Sequence, residues 1–268
     1  VTAQKPAGID VTTANVARIY DYFLGGKDNF AADRAAADKI TEMMPLVPIS
    51  ARENRAFVRR AVRFLAADCG VRQFVDVGAG LPTQGNVHDI AHEIAPDTKV
   101  VYVDNDPVVC NHGRALLAGE STRIIQADLR RPGEILDHPQ LRGFIDFAEP
   151  IAVLLTAVLH FIGGEDDPYA IIARFGEVMA PGSYLVISHG TLEASPDDPR
   201  VRRSTEVYKQ ASATLALRPL DAVRRMFDGF ELVPPGLVWI SQWQPGRETP
   251  DERGATETMR GGVGRKPS

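Results

Sequence analysis

Apolar positions along the chain change rhythm once, near residue 70, and the change divides the expected architecture. Before it, apolar residues recur at helical spacing. Val16, Ile19, Tyr20 and Phe23 predict a helix in "TTANVARIYDYFLGG", stopped by Gly25 and Gly26. "AADRAAADKITEMM" predicts a second amphipathic helix, broken by Pro45 and Pro48. A third runs from Ser50, with Glu53 completing a capping box, through Phe57, Val58, Ala61, Phe64 and Leu65 to Gly70.

After residue 70 short apolar runs alternate with amphipathic ones. Strands are predicted at 73–78, 99–104, 122–128 and 183–190, and a fourth begins within the run 150–162. Helices are predicted at "NVHDIAHEIA", 107–119 and "YAIIARFGEVMAPG". Alternation of this kind predicts an α/β fold, a mostly parallel sheet with helices on both faces. Beyond 190 the pattern predicts a long polar helix over 198–216, a short one at "PLDAVRRMF", and a hairpin over 230–243 around Pro-Pro-Gly. The division is a helical extension (1–70), an α/β core (71–245) and a polar, glycine-rich tail (246–268) expected to be poorly ordered.

Composition narrows the classes of partner. Thirty basic and 35 acidic residues give a net charge of −5, which disfavours nucleic acid. Two cysteines without a C-x-x-C spacing argue against a disulfide framework or a cysteine-rich zinc site. No run suits a membrane span, and the first residues lack the apolar core of a signal peptide, so the expectation is cytoplasmic.

The candidate chemistry lies at the strand ends. "FVDVG" runs into "AGLPTQG", placing Gly78, Ala79 and Gly80 where an open α/β sheet binds ligands. Asp104 ends the second strand, 26 residues beyond Gly78, suited to accept bonds from two ribose hydroxyls. Asp128, followed by Leu129, ends the third and is a candidate reader of an adenine amino edge. Asn105 is a neighbour of the same nucleoside. A dinucleotide fingerprint requires glycine at 83, where threonine stands, and Pro82 removes a backbone donor from the loop. S-adenosylmethionine has no phosphate and tolerates that loss.

These motifs, with "ARIYDYFLGGKDNFAADR", "ENRAFVRRAVRFLA", "AVLLTAVLHFI" and "GSYLVISHGT", resemble the bacterial S-adenosyl methyltransferase family over about residues 10–245. The resemblance implies a class I methyltransferase fold and cofactor binding by Gly78, Gly80, Asp104 and Asp128. It leaves the acceptor unnamed; the acidic balance favours a small molecule. Thr156, His160 and His189 follow the fourth and fifth strands, on the expected acceptor side. His189, His160 and Tyr22 are the candidate bases, set against a structural reading for each. Gly26-Lys27 is not a phosphate loop, because Asp28 replaces the hydroxyl residue and a helix precedes it. The alternatives are a helix end or a lid in which Tyr20, Tyr22, Lys27 and Asp28 close the site, Lys27 reaching the cofactor's carboxylate. "HDIAH" (88–92) imitates a zinc-protease motif, but its spacing is already used for packing. A non-catalytic cofactor sensor is the alternative function.

Overall fold

A computed structural model describes residues 10–82, 85–117, 119–191, 205–208, 211, 215–243 and 257–268. Eight strands form one sheet: β1 (Gln73–Val77), β2 (Lys99–Asp104), β3 (Thr122–Gln126), β4 (Ala152–Thr156), β5 (Tyr184–Gly190), β6 (Glu231–Leu232), β7 (Val238–Trp239) and β8 (Met259–Arg265). The order is β3-β2-β1-β4-β5-β8-β6, and β7 also pairs with β8. The first five strands are mutually parallel; β8 runs against both β5 and the short pair β6 and β7. Chain order reverses at β1, which lies between β2 and β4. A crevice therefore opens at the carboxyl end of β1.

Strand alternation sorts the core into two layers. Val75, Val77, Val101, Val103, Val153 and Leu155 pack on one face, with Phe175 of the helix Pro168–Val178 and with Phe227. Phe74, Val100, Tyr102 and Leu154 pack on the other, under Phe57, Val58, Ala61 and Leu65 of α3 (Val47–Ala67) and Ile90 of α4 (Val87–His92). A smaller cluster joins α1 (Val16–Phe23) and α2 (Ala31–Met43) through Ile19, Phe23, Ala37 and Ile40. Of the expected 1–70 extension, α3 is thus a layer of the core. Among the described residues no helix is long and apolar enough to cross a membrane.

Three expectations are corrected. The third helix begins at Val47, not Ser50, with Pro48 in its first turn. Proline lacks only an N–H that would have no partner there, so it starts this helix instead of breaking the chain. Ser50 is interior, its hydroxyl donating to Leu46 O at 3.0 Å. The expected hairpin is absent, because its two halves pair with β8 and not with each other. And β8 lies inside the tail expected to be poorly ordered. Its glycines are a packing device: a Cβ at Gly261 would lie 2.8 Å from Ile240 and 3.0 Å from Phe57, and one at Gly264 2.8 Å from Phe230. A glycine-rich segment reads as loose in sequence, yet it lets neighbouring layers approach a strand. The long polar helix expected over 198–216 falls largely outside the described residues; 205–208 are helical.

Candidate cofactor site

At the carboxyl ends of β1 to β4 lies a cavity of about 330 Å³, within the usual range for small-molecule sites. Its floor is the glycine turn. Gly78 has φ +77° and Gly80 +68°, the left-handed region that disfavours a side chain. At Gly78 a Cβ would also lie 2.5 Å from the Val158 side chain. The Gly78 and Ala79 amides donate to Val103 O at 2.8 and 3.2 Å, tying the turn to β2.

Asp104 ends β2 and is 8% exposed. Its Oδ2 accepts the Gly80 amide and its Oδ1 the Asp106 amide, each at 2.9 Å. An ionised carboxylate has about four acceptor positions, so lone pairs remain for two hydroxyl donors. Burial pushes its pKa up to about 6, against those amide bonds. Asp128 is held differently. Arg130 Nε lies 3.0 Å from both its oxygens and Arg130 Nη2 2.5 Å from Oδ2, which keeps the carboxyl below its ordinary range. Asn105, Leu129 and Thr156 complete this wall. Ala79, Gly78, Gly80, Asp104, Asn105, Asp128, Leu129 and Thr156 are therefore brought together as the sequence suggested.

The opposite wall comes from α1 and α3. Asn15, Val16, Ala17 and Tyr20 face the cavity beside Asn54 and Arg55. One hydrogen-bonded chain ties this wall to the strand tips. The Ala157 amide donates to Ser188 Oγ (2.9 Å), and that hydroxyl donates to Asn54 Oδ1 (2.6 Å). Asn54 Nδ2 then donates to the Tyr20 hydroxyl (3.0 Å), which donates to Ala51 O (3.0 Å). Ala157 itself has φ +52°, a strained conformation at the tip of β4. A second tether is ionic. Buried Arg18 lies 3.6 Å from Asp33 of α2 and 3.7 Å from Asp106, whose other oxygen caps α5 (Pro107–Leu116).

The candidate bases lie elsewhere. His189, expected to be exposed, is 0% exposed; its Nδ1–H donates to Gly190 O and its Nε2 accepts from Arg218 Nη1 at 3.1 Å. His160 accepts the Gly190 amide through Nδ1 at 3.2 Å. Burial first, and Arg218 second, lower its pKa to about 3; burial and His160 push His189 well below its ordinary value. Burial favours the neutral form of both, the two rings pack edge-on, and neither lines the cavity. Tyr22 points to α2, donating to Asp38 Oδ1 at 3.1 Å, and Lys27 is exposed. Neither lines the cavity. In "HDIAH", His88 Nδ1 meets the Tyr102 hydroxyl at 2.7 Å and His92 Nε2 meets Thr98 O at 2.9 Å, while Asn86 and Asp89 form the capping box of α4.

Sequence reading missed Asp76, Asn54 and Arg55 as site residues. Asp76 carried a signal: it is the one charged residue in a strand buried along its whole length. Asn54 and Arg55 carried none, because they sit in a helix whose polar positions read as solvated.

A sheet in this order, with one antiparallel strand beside β5 and a glycine turn facing a strand-end acid, defines a class I methyltransferase fold. The profile of the S-adenosyl methyltransferase family matches residues 2–267, and the chain belongs to that family. It is a methyltransferase that uses S-adenosylmethionine. A DUF574 family protein from Streptomyces avermitilis MA-4680 is 41% identical, with 96% of this chain and 99% of that one covered and a TM-score of 0.90. A protein from Thermobifida fusca YX, described provisionally as a methyltransferase, is 38% identical over 100% of both chains, also with a TM-score of 0.90. An O-methyltransferase family protein from Burkholderia thailandensis shares the fold at 15% identity, with 82% of this chain and 60% of that one covered and a TM-score of 0.53. No curated protein matches the chain.

Proposed function

We propose that the cavity at the strand tips is the S-adenosylmethionine site and that the methyl acceptor is a small molecule. The observation that carries this reading is the buried Asp104 carboxylate, fixed by the Gly80 and Asp106 amides and open to the cavity. Its remaining lone pairs suit a ribose diol, and the left-handed glycine turn leaves room for the rest of the nucleoside. When bound, the cofactor supplies a methyl group on a sulfonium.

The protein's own residues orient and enclose. α1 serves as the lid, held down by the Tyr20–Asn54–Ser188 chain and by Arg18. Excluding water and holding two reactants in line account for much of the barrier reduction in such a displacement. Among the described residues lining the cavity, the groups able to take up a proton are carboxylates: Asp76, Asp104, Asp128, Glu165 and Asp166. The proposed acceptor therefore needs no imidazole base. Five lining acids against Arg55 and Arg130 also favour a neutral or cationic acceptor over a polyanion such as nucleic acid.

Calorimetry of the full chain with S-adenosylmethionine tests the site. Asp104→Ala is expected to weaken binding by about tenfold or more, the loss of charged hydrogen bonds; equal affinity in variant and wild type overturns the assignment. For the acceptor, protein is incubated with cofactor labelled in the methyl group and a cell extract. The label should appear in dialysable material; label confined to macromolecules sinks the small-molecule reading.

A further inference from the structure

An amino-acid end such as that of S-adenosylmethionine carries an ammonium and a carboxylate, and a largely buried site must meet both charges. The sequence offered Lys27 for the carboxylate, but Lys27 is exposed and does not line the cavity. Two cations do, Arg55 and Arg130, among the described residues. Arg130 is taken up by bidentate contact with Asp128. Arg55 is anchored by one bond, from Nη2 to Gly85 O at 2.9 Å. A guanidinium has five N–H donors, so most of its donor capacity remains.

Asp76 is its counterpart. It occupies a position of β1 with the same parity as Phe74, hence on the face covered by α3, the helix that carries Arg55. It is 5% exposed, lines the cavity and accepts no hydrogen bond from any described residue. Arg55 and Asp76 feel each other's charge but form no ion pair. A buried carboxylate with no donor, and an arginine held back from it by its bond to Gly85, flank one end of the cavity beside the glycine turn.

We infer that Arg55 binds the carboxylate and Asp76 the ammonium of the cofactor's amino-acid end. The inference rests on the reading of this cavity as the S-adenosylmethionine site. It makes α3, a helix of the core, the source of the cation that the sequence had placed in the lid.

Three ligands separate the charges in calorimetry of the full chain: S-adenosylmethionine, its decarboxylated form, and 5′-methylthioadenosine, which lacks the amino-acid end. Arg55→Gln should weaken S-adenosylmethionine by about tenfold to a hundredfold, the usual worth of a charged hydrogen-bond pair. It should leave the other two ligands within about twofold. Arg55→Lys should recover part of the loss. Asp76→Asn should weaken both ammonium-bearing ligands and spare 5′-methylthioadenosine. Equal loss on all three ligands in Arg55→Gln would mean that the arginine only supports Gly85, and it overturns the inference. So does no loss on any, or wild-type protein binding 5′-methylthioadenosine as tightly as S-adenosylmethionine. If wild type binds none of the three, the cofactor site itself falls, and this inference with it.

Discussion

A methyl group at position 26 would lie 1.9 Å from Asp21 Oδ1. The buried Asp21 carboxylate instead accepts the Asp28 amide at 3.1 Å and Asn29 Nδ2 at 2.8 Å, folding the Gly-Gly-Lys-Asp turn around itself. The motif that resembles a phosphate loop is thus the closing turn of α1. At the same scale, Gly78→Ala is expected to lose cofactor binding while the far-ultraviolet circular dichroism stays native. It adds about 1–2 kcal/mol of left-handed strain and a clash with Val158. Asn54 bonds on both sides, so Asn54→Ala takes one donor from the Tyr20 hydroxyl and the acceptor of the Ser188 hydroxyl; urea titration should show a loss of roughly 2–3 kcal/mol. Asp104 adds a pH dependence. Its folded pKa of about 6 lies above the unfolded value, so ionisation costs folding free energy as pH rises from about 4 to 6. Hydroxyl donors prefer the ionised form. Cofactor affinity should therefore rise between pH 5 and 7 and level off above, with Asp76, also near 6, contributing to the same rise. Calorimetry across this range checks it, and Asp104→Asn should flatten part of the rise.

Among the elements, β8 and α1 carry the most consequence. β8 separates β5 from β6 and β7, so the last residues of the chain complete the sheet. Gly264→Leu would drive atoms into Phe227 and Phe230, and overpacking of this kind costs about 1–3 kcal/mol. A lowered midpoint in thermal melts is the expected result. In α1, Arg18 faces two buried carboxylates, Asp33 and Asp106. Arg18→Met leaves both without their cation, a change that costs about 3–5 kcal/mol when the group is buried. Limited proteolysis should then cut the chain before α3 while the sheet remains protected; unchanged resistance would show that α1 is held by its apolar face alone.

For the whole molecule, a cofactor that binds only the folded chain stabilises it. At a ligand concentration of a hundred times Kd the gain is about 2.7 kcal/mol, read as a rise in melting temperature. Most of this architecture was legible. The five parallel strands and the helices between them followed from apolar periodicity, since strands buried on both faces must be continuously apolar. The glycine turn and Asp104 were legible because ligand sites of open α/β sheets lie at strand ends. Arg55 and Asn54 were not, because a helix position gives no sign of which polar side chain meets a cavity. The histidines misled for the converse reason. Chain position near a strand tip does not reveal burial: the His189 ring is closed off beside Arg218, and the His160 ring packs edge-on against Phe161 and His189.

By itself the sequence determined the order of elements, the crevice and the strand-end acids facing it, because those follow from local periodicity and from residues that only a turn or a strand end accommodates. Only the tertiary structure decided which strand closes the sheet and which side chains from distant helices meet at the cavity. Pairing partners and cavity walls depend on contacts between segments far apart in the chain: Asn54 with Ser188, Arg55 with Gly85, β8 with β5. No local pattern encodes such contacts, since the free energy that selects them arises when the layers pack.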